Sequence, residues 1–164
     1  MTIILPGITL GQESFLTKEG AVDGDRINRR IVEELLRKEV KLTPQRTEII
    51  RILSHNSHPG AREILEKARE RIPDMSISTV YYTIGLLKKE GLIKELEFYE
   101  MENRYESEMD DHIDLICTGC GNIENFENDG PETRRIIEEC TGFKARRMRF
   151  EYYGLCKECG SKKA

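Results

Sequence analysis

The sequence predicts an α+β protein whose N-terminal half is helical and whose C-terminal half has short strands around one helix. From residue 27 to residue 90 the apolar residues recur every three or four positions, which is the period of amphipathic helices. Beyond residue 110, short strand-like segments with glycine turns replace that period. All five cysteines lie in the last third, and four of them form two C-x-x-C pairs. With 164 residues the chain has room for two small domains, one for each pattern.

The first two predicted helices have clear start signals. Asp23 or Asp25 can cap the first, because a side-chain oxygen there accepts from the free N–H groups of the first turn. Thr43 precedes Pro44, an N-cap followed by proline at the first helical position. Residues 1–22 show no periodicity and are predicted to form a poorly ordered arm. The predicted inward positions are Ile27, Ile31, Val32, Leu35 and Leu36 in the first helix, and Ile49, Ile50 and Leu53 in the second.

A third and a fourth helix are predicted next, followed by a hairpin. A turn at residues 56–60 precedes the third helix, at 61–72, which Pro73 stops. Ser76 or Ser78 caps the fourth helix, at 78–90, and Gly91 suits the left-handed residue that follows a helix. Residues 92–96 and 98–105 predict two paired strands. The predicted inward residues of these two helices are Ala61, Ile64, Leu65, Ala68 and Ile72, and Val80, Ile84 and Leu87.

Four helices followed by a hairpin match a winged helix-turn-helix, with the helix at 78–90 as the recognition helix. Hydroxyl, phenol and ammonium groups on its outward face can reach phosphates and base edges in a major groove. The pattern therefore favours binding to double-stranded DNA. The alternative is a helical packing module whose tyrosines belong to a core or an interface. The outward residues are Thr79, Tyr81, Tyr82, Lys88 and Lys89.

The C-terminal half is predicted to be a small three-stranded sheet with one helix. The strands are expected at 113–117, 123–126 and 143–152, and the helix at 131–140. Such a unit is too small to contain a large core. A bound metal and dimerisation are therefore both expected to support it.

The two C-x-x-C pairs predict a structural zinc site. Cys117 with Cys120, and Cys156 with Cys159, can each present two thiolates to one cation, and four sulfur ligands leave no open coordination position. The 35 residues between the pairs exceed the usual zinc-ribbon spacing, so part of the sheet and its helix is inserted there. A redox dithiol or a fortuitous cluster is the alternative. Cys140, at the end of a helix, is expected to be a packed thiol.

The charge distribution and the composition bear on three questions: whether the protein binds nucleic acid, spans a membrane or is secreted. The formal net charge of −4, taken alone, argues against a nucleic-acid partner. However, residues 1–97 hold 16 basic and 15 acidic side chains, whereas residues 98–164 hold 10 and 15, so the acidic excess lies outside the predicted winged helix. No apolar run is long enough for a transmembrane helix, and no secretory signal is recognisable. We therefore expect a cytoplasmic protein with reduced cysteines and no membrane partner.

A second group of candidate metal ligands combines carboxylates with imidazole. His112 and Asp114 are two apart at the start of a strand, so their side chains point to one face. His58 lies in the turn between two helices, directly before Pro59. Imidazole together with carboxylates suits Fe²⁺, Mn²⁺ or Zn²⁺. The alternative is a solvated acidic hinge with scattered histidines, since the neighbouring residues are Glu106, Glu108, Asp110 and Asp111.

These motifs, in this order, resemble the ferric uptake regulator family, over roughly residues 24–160. The resemblance implies a winged-helix DNA-binding domain at 23–101, a hinge at 102–108 and a dimerisation domain at 109–164. It also implies a homodimeric, metal-dependent transcriptional repressor of metal-uptake or peroxide-stress genes. Such a protein has a palindromic DNA operator as partner, no small-molecule substrate and no enzymatic activity. The segments that carry the resemblance are Leu42-Thr43-Pro44-Gln45-Arg46, Ser76-Ile77-Ser78-Thr79-Val80-Tyr81, His112-x-Asp114-x-x-Cys117-x-x-Cys120-Gly121 and Tyr153-Gly154-x-Cys156-x-x-Cys159.

The resemblance also implies roles for individual residues. The structural Zn²⁺ falls on the four paired cysteines. A regulatory Fe²⁺ or Mn²⁺, with Zn²⁺ as a further possibility, falls on His58, Glu106, His112, Asp114 and Asn125. Asp114 replaces a histidine of the family pattern, and Asn125 replaces a carboxylate. The implied DNA-binding residues are Lys41, Arg46, Ser78, Thr79, Tyr81 and Tyr82, the last of which stands where many members have arginine.

Two other functions remain open at this stage. A basal transcription accessory factor with a winged helix and a zinc ribbon would leave His58 and His112 without roles, and it needs a shorter cysteine spacing. A metalloenzyme that uses the histidine and carboxylate cluster lacks a recognisable nucleophile or base pattern.

Overall fold

The computed structural model describes residues 23–55, 58–98, 102–110, 112–126, 131–146 and 150–161. The predicted arm at 1–22 lies outside the described residues, as do parts of the predicted turn at 56–60 and of the hairpin. The predicted α+β class is confirmed, and no helix in the described ranges is long and apolar enough to cross a membrane. The helices are α1 (Gly24–Arg37), α2 (Pro44–His55), α3 (Ala61–Arg69), α4 (Ile77–Lys89), α5 (Pro131–Thr141) and α6 (Lys157–Ser161). The strands are β1 (Lys94–Leu96), β2 (Arg104–Glu106), β3 (Ile113–Cys117), β4 (Ile123–Phe126) and β5 (Phe150–Gly154).

Side-chain contacts resolve which residues cap the helices. Asp23 caps α1, since its Oδ1 accepts from Arg26 N at 3.0 Å. Ser76, rather than Ser78, caps α4, since its Oγ accepts from Thr79 N at 3.1 Å. Gly91 follows α4 with a φ of 69°, as predicted for the residue after a helix.

Helices α1 to α4 enclose the main apolar core, and most of the predicted inward residues are buried in it. Leu36 is an exception, because it is 57 % exposed. Leu35 already points inward, and the next residue is rotated by about 100° around the helix. Helix α3 ends three residues before its predicted end, because the position before Pro73 disfavours helical backbone. The fully buried members of this core include Ile31, Leu35, Ile49, Ile50, Ile52, Leu53, Ile64, Val80 and Leu87.

Strands β1 and β2 form the predicted wing, with Lys94 opposite Glu106 and Leu96 opposite Arg104. Strand β2 starts later than predicted and lies within residues 102–108, the range assigned to the hinge. A bridge between Gly60 and Arg104 pins the chain between α2 and α3 against β2. The wing is thus firmly part of the helical half.

The C-terminal sheet has the order β4–β3–β5, with β3 antiparallel to β4 and parallel to β5. Helix α5 supplies the crossover that a parallel pair requires. The last strand was predicted from Phe143, but it begins at Phe150, and residues 143–146 are irregular. The early start was wrong because the apolar alternation there is only partial. Helix α6, which contains Cys159, was not predicted as a helix.

A small apolar cluster joins the two halves. Leu96 of the wing packs with Ile116 of β3 and Ile123 of β4, and the half-buried Phe98 covers them. The wing is therefore held against the sheet at the C-terminal end of β1.

Candidate metal centres

The four paired cysteines meet at one end of the sheet. Their Sγ atoms all lie within 4.8 Å of one another, and Cys120 Sγ is 3.8 Å from Cys156 Sγ. Sulfur atoms placed tetrahedrally at about 2.3 Å from a zinc ion are about 3.8 Å apart. The donor set and its spacing therefore fit a structural zinc ion.

The parallel pairing of β3 with β5 brings the two cysteine pairs together. Cys117 ends β3 opposite Gly154 of β5, and Thr118 N donates to Gly154 O at 2.7 Å. Cys156 lies two residues after the end of β5. Cys120, which belongs to the same pair as Cys117, lies in the turn after β3, where the backbone reverses at Gly121 with a φ of 73°.

Backbone N–H groups prepare the cysteine cluster for a cation. Cys156 N donates to Cys117 Sγ at 3.2 Å, and Gly119 N donates to it at 3.4 Å. Hydrogen bonds from the Cys156 and Cys120 backbone lower the pKa of the Cys117 thiol to about 6. By contrast, side-chain hydrogen bonds with Cys156 and Cys120 raise the pKa of Cys159 to about 12. The first thiolate forms readily, and the remaining thiols lose their protons when a cation neutralises the cluster.

The fifth cysteine lies elsewhere. Cys140 is exposed on α5, outside the cluster, rather than packed as expected. Its neighbours Ile136 and Ile137 are also exposed, because α5 has no covering layer on that side in the part of the chain that is described.

A second cluster lies where the wing meets β3, and it contains His58, Glu106, His112 and Asp114. One ligand atom of each lies within 4.8 Å of the others. Glu106 Oε1 is 2.7 Å from His112 Nε2 and 3.4 Å from His58 Nε2. Asp114 Oδ1 is 3.3 Å from each of the same two nitrogens. Each half of the molecule thus contributes one imidazole and one carboxylate.

The helical half holds His58 and Glu106 together through the backbone. Pro59 O accepts from Tyr105 N at 3.1 Å, so the residues next to the two ligands are directly bonded. His58 has a φ of 51°, a left-handed conformation that is unusual for a residue other than glycine. This strained backbone directs a buried imidazole towards β2, as is common at functional sites.

The sheet half places His112 and Asp114 on one face of β3, as their two-residue spacing predicts. His112 Nδ1 lies 2.8 Å from Asp110 O, so the backbone carbonyl leaves Nε2 to face the cluster. Asp114 is buried in the middle of the sheet, opposite Asn125 of β4.

The imidazoles and carboxylates of the cluster interact as ion pairs. Burial alone would raise the pKa of Glu106, but contacts with His112 and His58 lower it to about 2. The same balance lowers the pKa of Asp114. Interactions with Asp114 and Glu106 raise the pKa of His112 to about 10. Burial disfavours a charged His58, yet the two carboxylates raise its pKa as well.

The spacing of these atoms fits a divalent cation. Ligands at about 2.1 Å from one ion are about 3.0 Å apart at right angles and about 3.4 Å apart at the tetrahedral angle. The four contacts, from 2.7 to 3.4 Å, fall close to this range. Two nitrogens and two oxygens suit Fe²⁺, Mn²⁺ or Zn²⁺.

The other acidic residues predicted near this place behave differently. Glu108 and Asp110 each lie 3.5 Å from the guanidinium of Arg26 on α1. Asn125 lies beside the cluster, with Nδ2 at 3.5 Å from Glu106 Oε1. Asp111 lies outside the described residues.

The candidate DNA-binding residues lie on α4 and at the start of α2. Tyr81 and Tyr82 are 51 % and 70 % exposed, which disfavours the alternative of a buried tyrosine pair. Ser78 and Lys41 are also exposed, whereas Thr79 is half-buried and its hydroxyl contacts Ser76 Oγ. Two further basic side chains are engaged within the protein. Arg46 donates to the backbone oxygen of Lys41, and Lys88 pairs with Glu95 of the wing.

Two contacts near the cluster were not predicted from the sequence. Lys94 Nζ lies 3.6 Å from Glu106 Oε2, and Ser107 Oγ donates to Leu53 O at 2.7 Å. Only the hairpin register reveals the first contact, since it places Lys94 directly opposite Glu106.

Comparison with known proteins gives a consistent result. Residues 37–153 match the ferric uptake regulator family. The peroxide operon regulator of Bacillus subtilis is 35 % identical over 133 residues, covering 80 % of this chain and 92 % of that protein. The ferric uptake regulator of Helicobacter pylori has a TM-score of 0.69 at 28 % identity, covering 84 % and 93 % of the two chains. A zinc-bound manganese uptake regulator has a TM-score of 0.61 at 30 % identity, covering 77 % and 98 %.

Proposed function

Because the chain belongs to the ferric uptake regulator family and is therefore a metal-dependent transcriptional repressor, we propose that its second cluster is the regulatory metal site. His58 of the winged helix and Glu106 of β2, in the connection, would hold a divalent cation together with His112 and Asp114 of the sheet. The observation that supports this is the meeting of four ligand atoms from the two halves within 4.8 Å. A cation shared between them favours one arrangement of the DNA-binding half against the sheet.

We assign Asn125 to this site as a fifth, weaker ligand. It faces Asp114 across the β3–β4 pair, and its amide lies beside Glu106. The amide nitrogen and oxygen exchange places when the side-chain amide turns over, so the oxygen can be directed at the cation.

For the regulatory metal we propose Fe²⁺ or Mn²⁺, with Zn²⁺ as a further possibility. The cluster offers two carboxylate oxygens and no thiolate. Oxygen ligands suit Fe²⁺ and Mn²⁺ better than thiolates do. The family resemblance and the similarity to a peroxide operon regulator and a manganese uptake regulator support target genes for metal uptake or peroxide stress.

For the structural site we propose Zn²⁺ on the four clustered cysteines. It would tie the turn after β3 to the end of β5 and to α6. Without a cation this end of the sheet has few apolar contacts, since Tyr152, Tyr153 and Leu155 are exposed.

The DNA-binding surface is proposed to be the exposed side of α4 together with the start of α2. Tyr81, Tyr82 and Ser78 project from α4, and Thr79 lies beside them in its first turn. Lys41 and Arg46 would contact the phosphate backbone. Proteins of this family bind operators as dimers, and a symmetric dimer reads a palindrome whose half-sites match the spacing of its recognition helices.

The domain limits remain our proposal: winged helix at 23–101, connection at 102–108 and dimerisation domain at 109–164. Within the connection, Ser107 is held to the winged helix by Leu53 O, and Arg30 Nη2 donates to Ser107 O at 2.5 Å. Ser107 is therefore fixed to the helical half.

Replacement of His58 by alanine tests the regulatory site. The His58→Ala protein should keep its zinc and its dimeric state but lose the metal-dependent gain in operator affinity, about tenfold to a hundredfold. The measurement is binding to a palindromic duplex, selected from random sequence by the Mn²⁺-loaded protein, with and without Mn²⁺.

His55→Ala is the matched control, since His55 ends α2 and contacts Asp25 rather than the cluster. Metal-dependent binding that survived unchanged in His58→Ala would contradict the proposal. Binding of the wild-type protein to RNA polymerase instead of a duplex would favour a basal transcription accessory factor.

A further inference from the structure

The two carboxylate oxygens of Glu106 face different partners. Oε1 is directed at the cluster, with His112 Nε2 at 2.7 Å and His58 Nε2 at 3.4 Å. Oε2 is buried and has no hydrogen-bond partner among the described residues, but Lys94 Nζ lies 3.6 Å from it. One oxygen is thus available to a cation, and an ammonium group accompanies the other.

The wing holds this ammonium group in place. Lys94 and Glu106 are directly opposite each other in the antiparallel β1–β2 pair, where side chains stand about 5 Å apart on the same face. Glu106 is only 4 % exposed, whereas Lys94 is 30 % exposed. The ion pair is therefore partly shielded from solvent and weakly screened by salt.

Lys94 also borders the opening of the cluster. A cavity of about 370 Å³ separates the wing from β3, and its lining includes Lys94, Glu106, His112 and Asp114. A cation that enters the cluster through this cavity passes the ammonium group. A cation bound to Glu106 Oε1 and the ammonium group of Lys94 beside Oε2 would then lie on opposite sides of the same carboxylate group.

The effect of Lys94 on metal affinity follows from the net charge of the cluster with a divalent cation bound. Two carboxylates and two neutral imidazoles carry a charge of −2, which a divalent cation neutralises. Lys94 adds one positive charge that nothing else in the cluster offsets. A unit charge about 6 Å from a divalent ion changes the binding constant about tenfold even at the dielectric constant of water.

We propose that Lys94 is a positioning residue that sets the affinity of the regulatory site. It holds the Glu106 carboxylate so that one oxygen faces the metal, and its charge weakens metal binding. The free metal concentration at which the protein responds is therefore higher than the four ligands alone would give. This inference rests on the proposed regulatory role of the cluster.

The test compares Mn²⁺ binding by zinc-loaded protein in four forms: wild type, Lys94→Met, Lys94→Arg and Lys144→Met. Lys94→Met keeps most of the aliphatic stem and removes the charge, so its Mn²⁺ dissociation constant should fall about tenfold. Lys94→Arg should stay close to wild type. Lys144→Met, which removes one exposed charge outside the cluster, should not change the constant.

The melting temperature supplies a second readout. Without Mn²⁺, Lys94→Met should melt below wild type, because the buried Glu106 carboxylate loses one of its positively charged neighbours. With saturating Mn²⁺ the gain in melting temperature should be larger than in wild type. A residue that merely supports the fold would lower both melting temperatures without tightening metal binding.

An unchanged or weaker Mn²⁺ affinity in Lys94→Met would overturn the inference. Lys94→Gln serves as a second neutral variant if Lys94→Met does not retain one zinc ion and a cooperative melting transition. If wild-type binding of Mn²⁺ proved independent of His58, the proposed function itself would fail. The two failures are therefore distinguishable.

Discussion

At the scale of single residues, the proposed regulatory cluster depends on side chains that would release protons when a cation binds. His112 is the clearest case, because its Nε2 faces both Glu106 and Asp114. Their contacts raise its pKa to about 10, so it is protonated at neutral pH in the metal-free protein. A metal ligand must be the neutral imidazole, so binding of a cation releases this proton.

Metal affinity should therefore rise with pH. With one proton displaced from His112, the apparent affinity for Mn²⁺ should increase about tenfold per pH unit between pH 6.5 and 8.5. Titration in buffers of different ionisation enthalpy measures both the affinity and the proton release. An affinity independent of pH, with no proton release, would contradict this assignment.

The raised pKa of His112 also makes the stability of the metal-free protein depend on pH: stability should fall as the pH rises, whereas metal affinity should rise. The folded-state pKa of His112 lies above its ordinary value of 6.5. Its ion pairs therefore stabilise the metal-free fold fully below pH 6.5, and this contribution is lost as the pH rises towards 10. The pKa of Glu106 is lowered, so its contribution is present above pH 4.5 and is lost as the pH falls towards 2.

At the scale of elements, helix α4 carries the proposed DNA-binding face, and its first turn depends on one hydroxyl group. Ser76 Oγ accepts from Thr79 N at 3.1 Å, and the same N–H also donates to Ser76 O at 3.1 Å. The N–H groups of a first helical turn have no carbonyl four residues earlier in the helix, so the side chain supplies an additional acceptor. Ser78, two residues later, is exposed within the helix and does not serve as the cap.

Removing the cap should cost stability, whereas removing the second serine should not. Ser76→Ala is expected to lower the free energy of unfolding by about 1 kcal/mol. Ser78→Ala is the matched control and should change it by less than about 0.5 kcal/mol. Denaturant unfolding without DNA measures both. Equal costs for the two variants would mean that Ser76 does not act as the cap.

At the scale of the whole molecule, the two halves differ in how they are stabilised. The helical half has a large buried core, whereas the apolar cluster at the sheet, as far as the described residues show, consists of Leu96, Ile116 and Ile123 with Phe98 beside them. The cysteine cluster compensates for this at the far end of β3 and β5. Loss of its cation should therefore affect one half more than the other.

Removal of Cys156, a proposed zinc ligand, should selectively unfold the sheet. In Cys156→Ser we expect loss of zinc, loss of dimer and rapid amide exchange in β3, β4 and β5, with α1 to α4 still protected. Zinc content, size-exclusion chromatography and hydrogen exchange measure these effects. Cys140→Ser is the control, because Cys140 lies outside the cluster. Uniform loss of protection in both halves would contradict this division.

The sequence by itself determined the class of fold, the family and the nature of the ligands. The class of fold and the types of ligand follow from local rules: helical period, capping residues, C-x-x-C spacing and the alternation that puts His112 and Asp114 on one face. Such signals act over a few residues and can be recognised without the fold. The family follows from the resemblance of the motifs in their order along the chain. The strand predicted from Phe143 and the inward position of Leu36 were wrong where the periodic signal was weak or ambiguous.

Only the tertiary structure decided which distant residues meet. His58 reaches Glu106 because Pro59 and Tyr105 are bonded across the chain, and Lys94 reaches Glu106 because the hairpin register pairs them. The neighbouring acidic residues Glu108 and Asp110 lie outside the cluster, because they contact Arg26 of α1. Local patterns specify which groups are present, and packing over long sequence separations specifies the distances and charges between them.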